Sequence, residues 1–231
     1  GDLKLSGTIR ITTTDTLYTG ILSPILAAFR ERHPEIVIEA AISNQLYSLS
    51  RREADVAIRP TLAPPETLIG RRVGEIKQAV YGQRRHWGEL RGCKPLAELS
   101  GQAWIGPDVH LGDTVLEQWM SAGDRNVNCR YRVDTLLGIQ LAAREGMGIA
   151  ALPCYLAEDD ERLVRITDPV PELATGLWLL THPDLRRVAR IRVFLDEVGE
   201  AIRSVLNDKQ QLSGRQGRGN KSEVPPAGSV P

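Results

Sequence analysis

What constrains this chain most is the way its hydrophobic period switches within the first 60 residues. Thr8–Thr13 alternates apolar Ile9 and Ile11 with polar neighbours, the period of a strand. Leu17, Ile21, Leu22, Ile25, Leu26 and Phe29 then recur at spacings of three and four, as on a helix with one buried face. Thr12-Thr13-Thr14-Asp15-Thr16 supplies capping side chains ahead of that helix, and His33-Pro34 stops it. Ile36–Ala41 is β-rich, Ser43 and Asn44 cap a shorter helix through Glu53, and Asp55–Arg59 is a short strand closed by Pro60. Strand–helix–strand–helix–strand over so short a span predicts an α/β layer of parallel strands joined by crossover helices.

The middle of the chain repeats the style. Strands are predicted over Gln78–Gly82, Trp104-Ile105, Cys129–Val133, Ile149–Leu152 and Ala174–Thr181. Helices are predicted over Thr114–Ser121, over Leu136–Arg144 behind the caps Asp134 and Thr135, and over Asp184–Leu206. The 231 residues suffice for one large domain or two small ones. From residue 208 to 231 Gly, Ser, Gln, Pro and charge dominate, so this tail is expected to be disordered.

Several function classes drop out. Twenty-nine Lys and Arg balance 29 Asp and Glu, whereas a domain that grips nucleic acid alone carries a basic excess. Apolar runs such as Met147–Pro153 fall far short of the roughly 20 residues a membrane span needs. Gly1–Gly7 shows no basic segment followed by an apolar one, and the expected compartment is the cytoplasm. Cys93, Cys129 and Cys154 are too few and too scattered for a disulfide framework or a CxxC site. His33, His86, His110 and His182 have no metal-ligand spacing, and no GxSxG, Walker A or helix-opening GxGxxG occurs. Neither an enzyme nor a metal or organic cofactor is expected.

What remains is a set of polar residues where strands hand over to helices: Thr14, Asp15 and Thr16; Ser43 and Asn44; Gly106, Pro107 and Asp108; Asp134 and Thr135. Such residues are good helix caps in their own right. In open α/β sheets, however, ligands bind outside the carboxyl ends of the strands, where helix N-termini present free N–H groups. Arg59, ending an apolar strand, adds a cation to the set, which points to a small-molecule cleft.

Leu5-Ser6-Gly7-Thr8-Ile9-Arg10-Ile11, followed by a helix and Phe29-Arg30-Glu31-Arg32-His33-Pro34-Glu35-Ile36, resembles the effector-binding domain of LysR-type transcriptional regulators. Further matches are Glu53–Arg59, Leu68–Gly74, Ala79-Val80-Tyr81 and above all Gly138–Pro153, with Ala142-Ala143-Arg144-Glu145-Gly146-Met147-Gly148. In order they run from Leu5 to Leu206. The resemblance implies a fold like type II periplasmic binding proteins, two α/β subdomains joined by two crossover strands with a cleft between. Subdomain I would be residues 1–80 plus 182–207 and subdomain II residues 81–181, with crossovers near Ala79–Gln83 and Leu177–Thr181. It also implies that the four polar junctions and Arg59 face a small-molecule effector. An acidic Asp15 there disfavours a carboxylate unless Arg59 offsets it or Asp15 turns away to cap its helix. The family further implies homodimers or homotetramers, with the Leu17–Arg32 helix against a partner's Leu136–Arg144 helix. Promoter DNA would be met only through a winged helix-turn-helix outside this sequence; RNA polymerase would be a further contact and membranes none. The competing reading of such a fold is a periplasmic solute-binding protein.

Overall fold

The computed structural model describes residues 5–44 and 54–216, the side chains of 210–216 excepted. β1 (Gly7–Thr13) runs into α1 (Asp15–Leu17), a π-helical turn (Tyr18–Leu22) and α2 (Ser23–Arg32) as one helical stretch. Of the candidate caps Thr14 does the work: its backbone is extended and its hydroxyl accepts from Leu17 N. β2 (Ile36–Ile42) and β3 (Val56–Thr61) flank β1, both parallel to it. The helix predicted through Glu53 falls on residues 45–53, outside the described residues.

β4 (Ile69–Ile76) and β5 (Gln78–Gln83) are separated by Lys77 alone, yet they belong to different sheets. The sequence shows no strand at β4: two glycines and three charges dilute its apolar pattern, and long-range pairing is what makes it one. Next come α3 (Arg84–Trp87), β6 (Trp104–Pro107), α4 (Thr114–Ser121), β7 (Cys129–Val133) and α5 (Leu136–Arg144). Gly146, at φ +79°, lets the chain leave α5 in the left-handed turn that helix ends favour. β8 (Ala150–Pro153), α6 (Cys154–Ala157) and β9 (Leu163–Arg165) follow. β5 pairs antiparallel with both β8 and β9, and β6 pairs parallel with β7. The Trp104–Ile149 bridge joins the two groups.

β10 (Thr175–Thr181) then inserts antiparallel between β3 and β4, completing the order β2-β1-β3-β10-β4. The chain therefore crosses between sheets at Lys77 and again at Ala174. Boundaries at 80/81 and 181/182 would cut through β5 and β10. β5 instead stays within one sheet, pairing with β8 over Gln78–Tyr81 and with β9 over Tyr81–Gln83, and β10 keeps β3 and β4 on either side, so the change of sheet falls on the residue before each strand.

α7 (Ala189–Gln216) closes the fold. It starts later than the predicted Asp184, because Leu185–Arg187 forms a 3-10 turn first. It also runs past Leu206 into the segment expected to be disordered. Its next residues, Asn207-Asp208-Lys209-Gln210-Gln211, contain no helix breaker, and Lys209 Nζ donates to the Tyr155 carbonyl (3.2 Å) and pairs with Asp159. Residues 217–231 lie outside the described residues.

Two cores result. Ile191, Phe194, Val198, Ile202 and Leu206 form the buried stripe of α7 and pack with Phe29, Ile9 and Leu179. Phe29 and Phe194 meet edge to face at 5.2 Å. The other core centres on Trp104, set edge to face on Trp119 at 5.7 Å, with Val80, Ile139 and Leu152. The short α6 joins them: Cys154 and Ala157 belong to the second, Tyr155 and Leu156 to the first.

Glu197 of α7 ties that helix to the end of α2, accepting from Arg32 Nε (3.0 Å) and bonding His33 Nε2 (2.8 Å). Burial alone would raise its carboxyl, but these bonds outweigh it and hold it below the ordinary 4.5. A depressed carboxyl contributes stability above its unfolded value, lost as pH falls through the folded one. Glu197→Gln should cost about 1 kcal/mol at pH 7 and much less in strong acid, as read by urea unfolding across pH. An equal loss at both pH values would disprove the linkage.

Candidate functional site

A cavity of about 340 Å³ lies between the two sheets, beside both crossings. From the first body come Thr14 and Thr16 at the β1–α1 junction, Asn44 after β2, Arg59 and Thr61 of β3, and Thr175 at the start of β10. From the second come Gln78, Asp113, Thr114, Leu136 and Tyr155. Leu62, Ala63, Ile76, Leu111 and Val115 give much of the wall an apolar character.

Arg59 dominates the electrostatics. It is 2% exposed, although it sits in a strand whose other neighbours are apolar. Its Nη1 donates to the Ser43 carbonyl (2.8 Å) and its Nη2 to Thr12 Oγ1 (2.8 Å). Its Nε is buried with no hydrogen-bond partner. Both acceptors are neutral, and no carboxylate pairs with this guanidinium among the described residues. Burial accordingly lowers its pKa from the usual value, the sign of a cation held at a cost in free energy.

On the facing wall Asp113 caps α4, accepting from Leu116 N (3.0 Å). Burial raises its carboxyl, against the opposing pull of the Leu116 and Val115 N–H groups. Tyr155 lies beside Thr16, and burial pushes its hydroxyl far above the usual range, so it stays neutral and able to donate. Its ring is accommodated by Gly20 in the π-helical turn, where a Cβ would come within 2.9 Å of it.

Of the residues singled out from sequence, Thr14, Thr16, Asn44 and Arg59 line this cavity. The others stand elsewhere. The Asp15 carboxylate accepts from Thr16 N (2.7 Å) and does not line the cavity, although its charge is felt at the Tyr155 hydroxyl. Ser43 acts through its carbonyl, behind Arg59. Gly106 and Pro107 are buried within β6, paired with Arg132 and Val133 of β7. Asp108 accepts from His110 N (3.0 Å) in its own loop. Thr135 Oγ1 is taken by Gly138 N (2.9 Å) as the α5 cap, and Leu136 rather than Asp134 reaches the cavity. These second-body junctions are cap and sheet residues in function. Sequence reasoning missed Thr61, Gln78, Asp113, Tyr155 and Thr175. Only Asp113 carried a local signal, as the residue before a predicted helix at Thr114. Among the described residues no cluster of three His, Cys, Asp or Glu could hold a metal ion, and no helix is long and apolar enough to cross a membrane.

Two α/β bodies, a chain that crosses twice between them and a cavity at the crossings define a type II periplasmic-binding-protein-like ligand domain. Residues 4–203 match the LysR substrate binding domain, and the chain belongs to that family: it is the effector-binding domain of a LysR-type transcriptional regulator. Among curated relatives, the HTH-type transcriptional regulator PgrR of Escherichia coli K12 is 29% identical over 202 residues, covering 84% of this chain and 67% of that protein. The CrgA regulatory domain of Neisseria meningitidis superposes with a TM-score of 0.71 at 18% identity, covering 86% of this chain and all of that one. The CcmR regulatory domain of Synechocystis PCC6803, solved in complex with 2-PG, gives 0.70 at 18% identity over 85% of this chain and 98% of its own. Relatives that are transcriptional regulators favour this reading over a periplasmic solute-binding protein.

Proposed function

We propose that the cavity binds a small organic anion and that Arg59 is its anchor. The observation that carries this is a buried guanidinium on the cavity wall whose partners among the described residues are all neutral. A carboxylate or similar anion would supply the missing counter-charge in a low-dielectric setting, where such a pair is strongest. The hydroxyls of Thr14, Thr16 and Tyr155 suit its remaining oxygens, and Leu62, Leu111 and Val115 suit an apolar body.

The two bodies, divided at Lys77 and Ala174, are the moving parts. A ligand that touches both walls favours one relative orientation, and it regulates only by the difference in its affinity for the two arrangements. The domain works in the cytoplasm as a homodimer or homotetramer and passes that bias to a DNA-binding winged helix-turn-helix. Tyr18 at the start of the π-helical turn and Leu141 on α5, 37% and 54% exposed, are apolar surface available to the helix-to-helix contact that the family resemblance implies.

A thermal-shift screen against small carboxylates, neutral metabolites and amines tests the reading. An acid present at about 100 times its dissociation constant should raise the midpoint by roughly 5 °C or more. Neutral and cationic compounds of similar size should leave it in place. Stabilisation by none of the acids would reject the anion reading.

A further inference from the structure

Gln78 is the first residue of β5, next to the outward crossing at Lys77, and only 4% exposed. Its backbone carbonyl accepts from Val170 N (2.8 Å) and its side-chain Nε2 donates to the Leu173 carbonyl (3.2 Å). Val170 and Leu173 both belong to the segment that leads into the return crossing at Ala174. One residue thus ties the outward crossing to the returning one, at the wall of the cavity.

The carbonyl of Leu173 can only accept, which assigns the Gln78 amide without ambiguity: nitrogen faces Leu173 and Oε1 faces elsewhere. Oε1 is buried and has no hydrogen-bond partner. An acceptor left in that condition is held at a cost in free energy. Of the buried side-chain atoms without a partner among the described residues, only Gln78 Oε1 and Arg59 Nε belong to residues on this cavity's wall. They are opposite in sense, one an acceptor and the other a charged donor. A simple acid satisfies Arg59 and leaves Gln78 unpaired.

We infer that the effector carries a hydrogen-bond donor, a hydroxyl or an ammonium group, close to its anionic group, and that Gln78 Oε1 reads that donor. The inference rests on the anion reading of the cavity and narrows its ligand to hydroxy- or amino-acid anions. It also gives the ligand a direct hold on the two crossings, through the residue that binds them together.

Matched acids test this by titration calorimetry on the domain: propionate, lactate and alanine; succinate, malate and aspartate; benzoate and salicylate. In at least one series the donor-bearing member should bind tenfold or more tightly than its parent. Gln78→Met, close in size, should bring the two within twofold; the ratio within each pair is the readout, because the substitution also removes the bond to the Leu173 carbonyl and can shift both affinities together. Should that variant fail to fold, the methoxy analogue of the preferred hydroxy acid replaces it, and capping the hydroxyl should cost tenfold or more. Acids that bind through Arg59 with no preference for a donor would overturn the role of Gln78 and leave the anion reading intact. So would a preference that survives Gln78→Met or methylation. Binding by none of the acids would reject both readings together.

Discussion

Replacing Arg59 by methionine should weaken binding of an anionic effector by about thirtyfold or more while the domain stays folded. Truncating one partner of a desolvated charge pair costs about 2–5 kcal/mol, because the other charge is left buried alone. Here the charge left behind is the ligand's, so the loss appears entirely as affinity. The free domain responds differently. Methionine forfeits the bonds to Ser43 O and Thr12 Oγ1, but it also removes a buried cation that has no counter-charge among the described residues. These effects oppose each other, so the melting temperature of the unliganded variant should change by only a few degrees. Arg59→Lys sharpens the test, since an ammonium keeps the charge but cannot hold both acceptors and still present Nε. It should recover a minority of the lost affinity in calorimetry. Equal affinity in wild type and Arg59→Met would remove Arg59 from the site.

The largest loss of stability is expected from Phe194→Ala. Phe194 is fully buried on the inner stripe of α7 and meets Phe29 edge to face, so truncation empties the centre of the first core. Phenylalanine-to-alanine changes at such positions cost about 3–5 kcal/mol, combining lost transfer energy with the cavity left behind. For a chain of this size that is a fall of roughly 6–20 °C in melting temperature. Phe194→Leu should recover more than half of it by refilling most of the volume. Chemical unfolding followed by circular dichroism reads both variants. A cost below about 1 kcal/mol for alanine would mean that α7 is not integral to this core.

Much of this molecule is written in short-range pattern. Thr114–Ser121, Cys129–Val133 and Leu136–Arg144 occur where the sequence predicts them, because caps, apolar spacing and a terminating glycine act within a few residues. Thr14, Thr16, Asn44 and Arg59 could be found the same way: the first three follow the ends of β1 and β2, Arg59 lies in the second half of β3, and parallel pairing brings these strands side by side. Gly106, Pro107, Asp108, Asp134 and Thr135 meet the same local criteria yet stand outside the lining of this cavity. Capping a helix or pairing a strand uses the same polar atoms that a ligand site would, and local pattern cannot say which use prevails. β4 and the extension of α7 past Leu206 escape it for another reason. One depends on pairing with a strand a hundred residues away, the other on an anchor at Tyr155 and Asp159.

The sequence by itself determined the class of the fold, the alternation of its elements, the family resemblance and one wall of the cavity. Periodicity and capping are properties of a few neighbouring residues, so they can be read one segment at a time. Only the tertiary structure decided where the chain changes sheets and which residues form the facing wall. It also decided that, among the described residues, Arg59 is enclosed without a counter-charge and Gln78 keeps an unpaired oxygen. Burial and hydrogen-bond satisfaction are sums over everything that packs around an atom, drawn here from segments as distant as Thr12, Ser43 and Leu173. No stretch of sequence contains that sum.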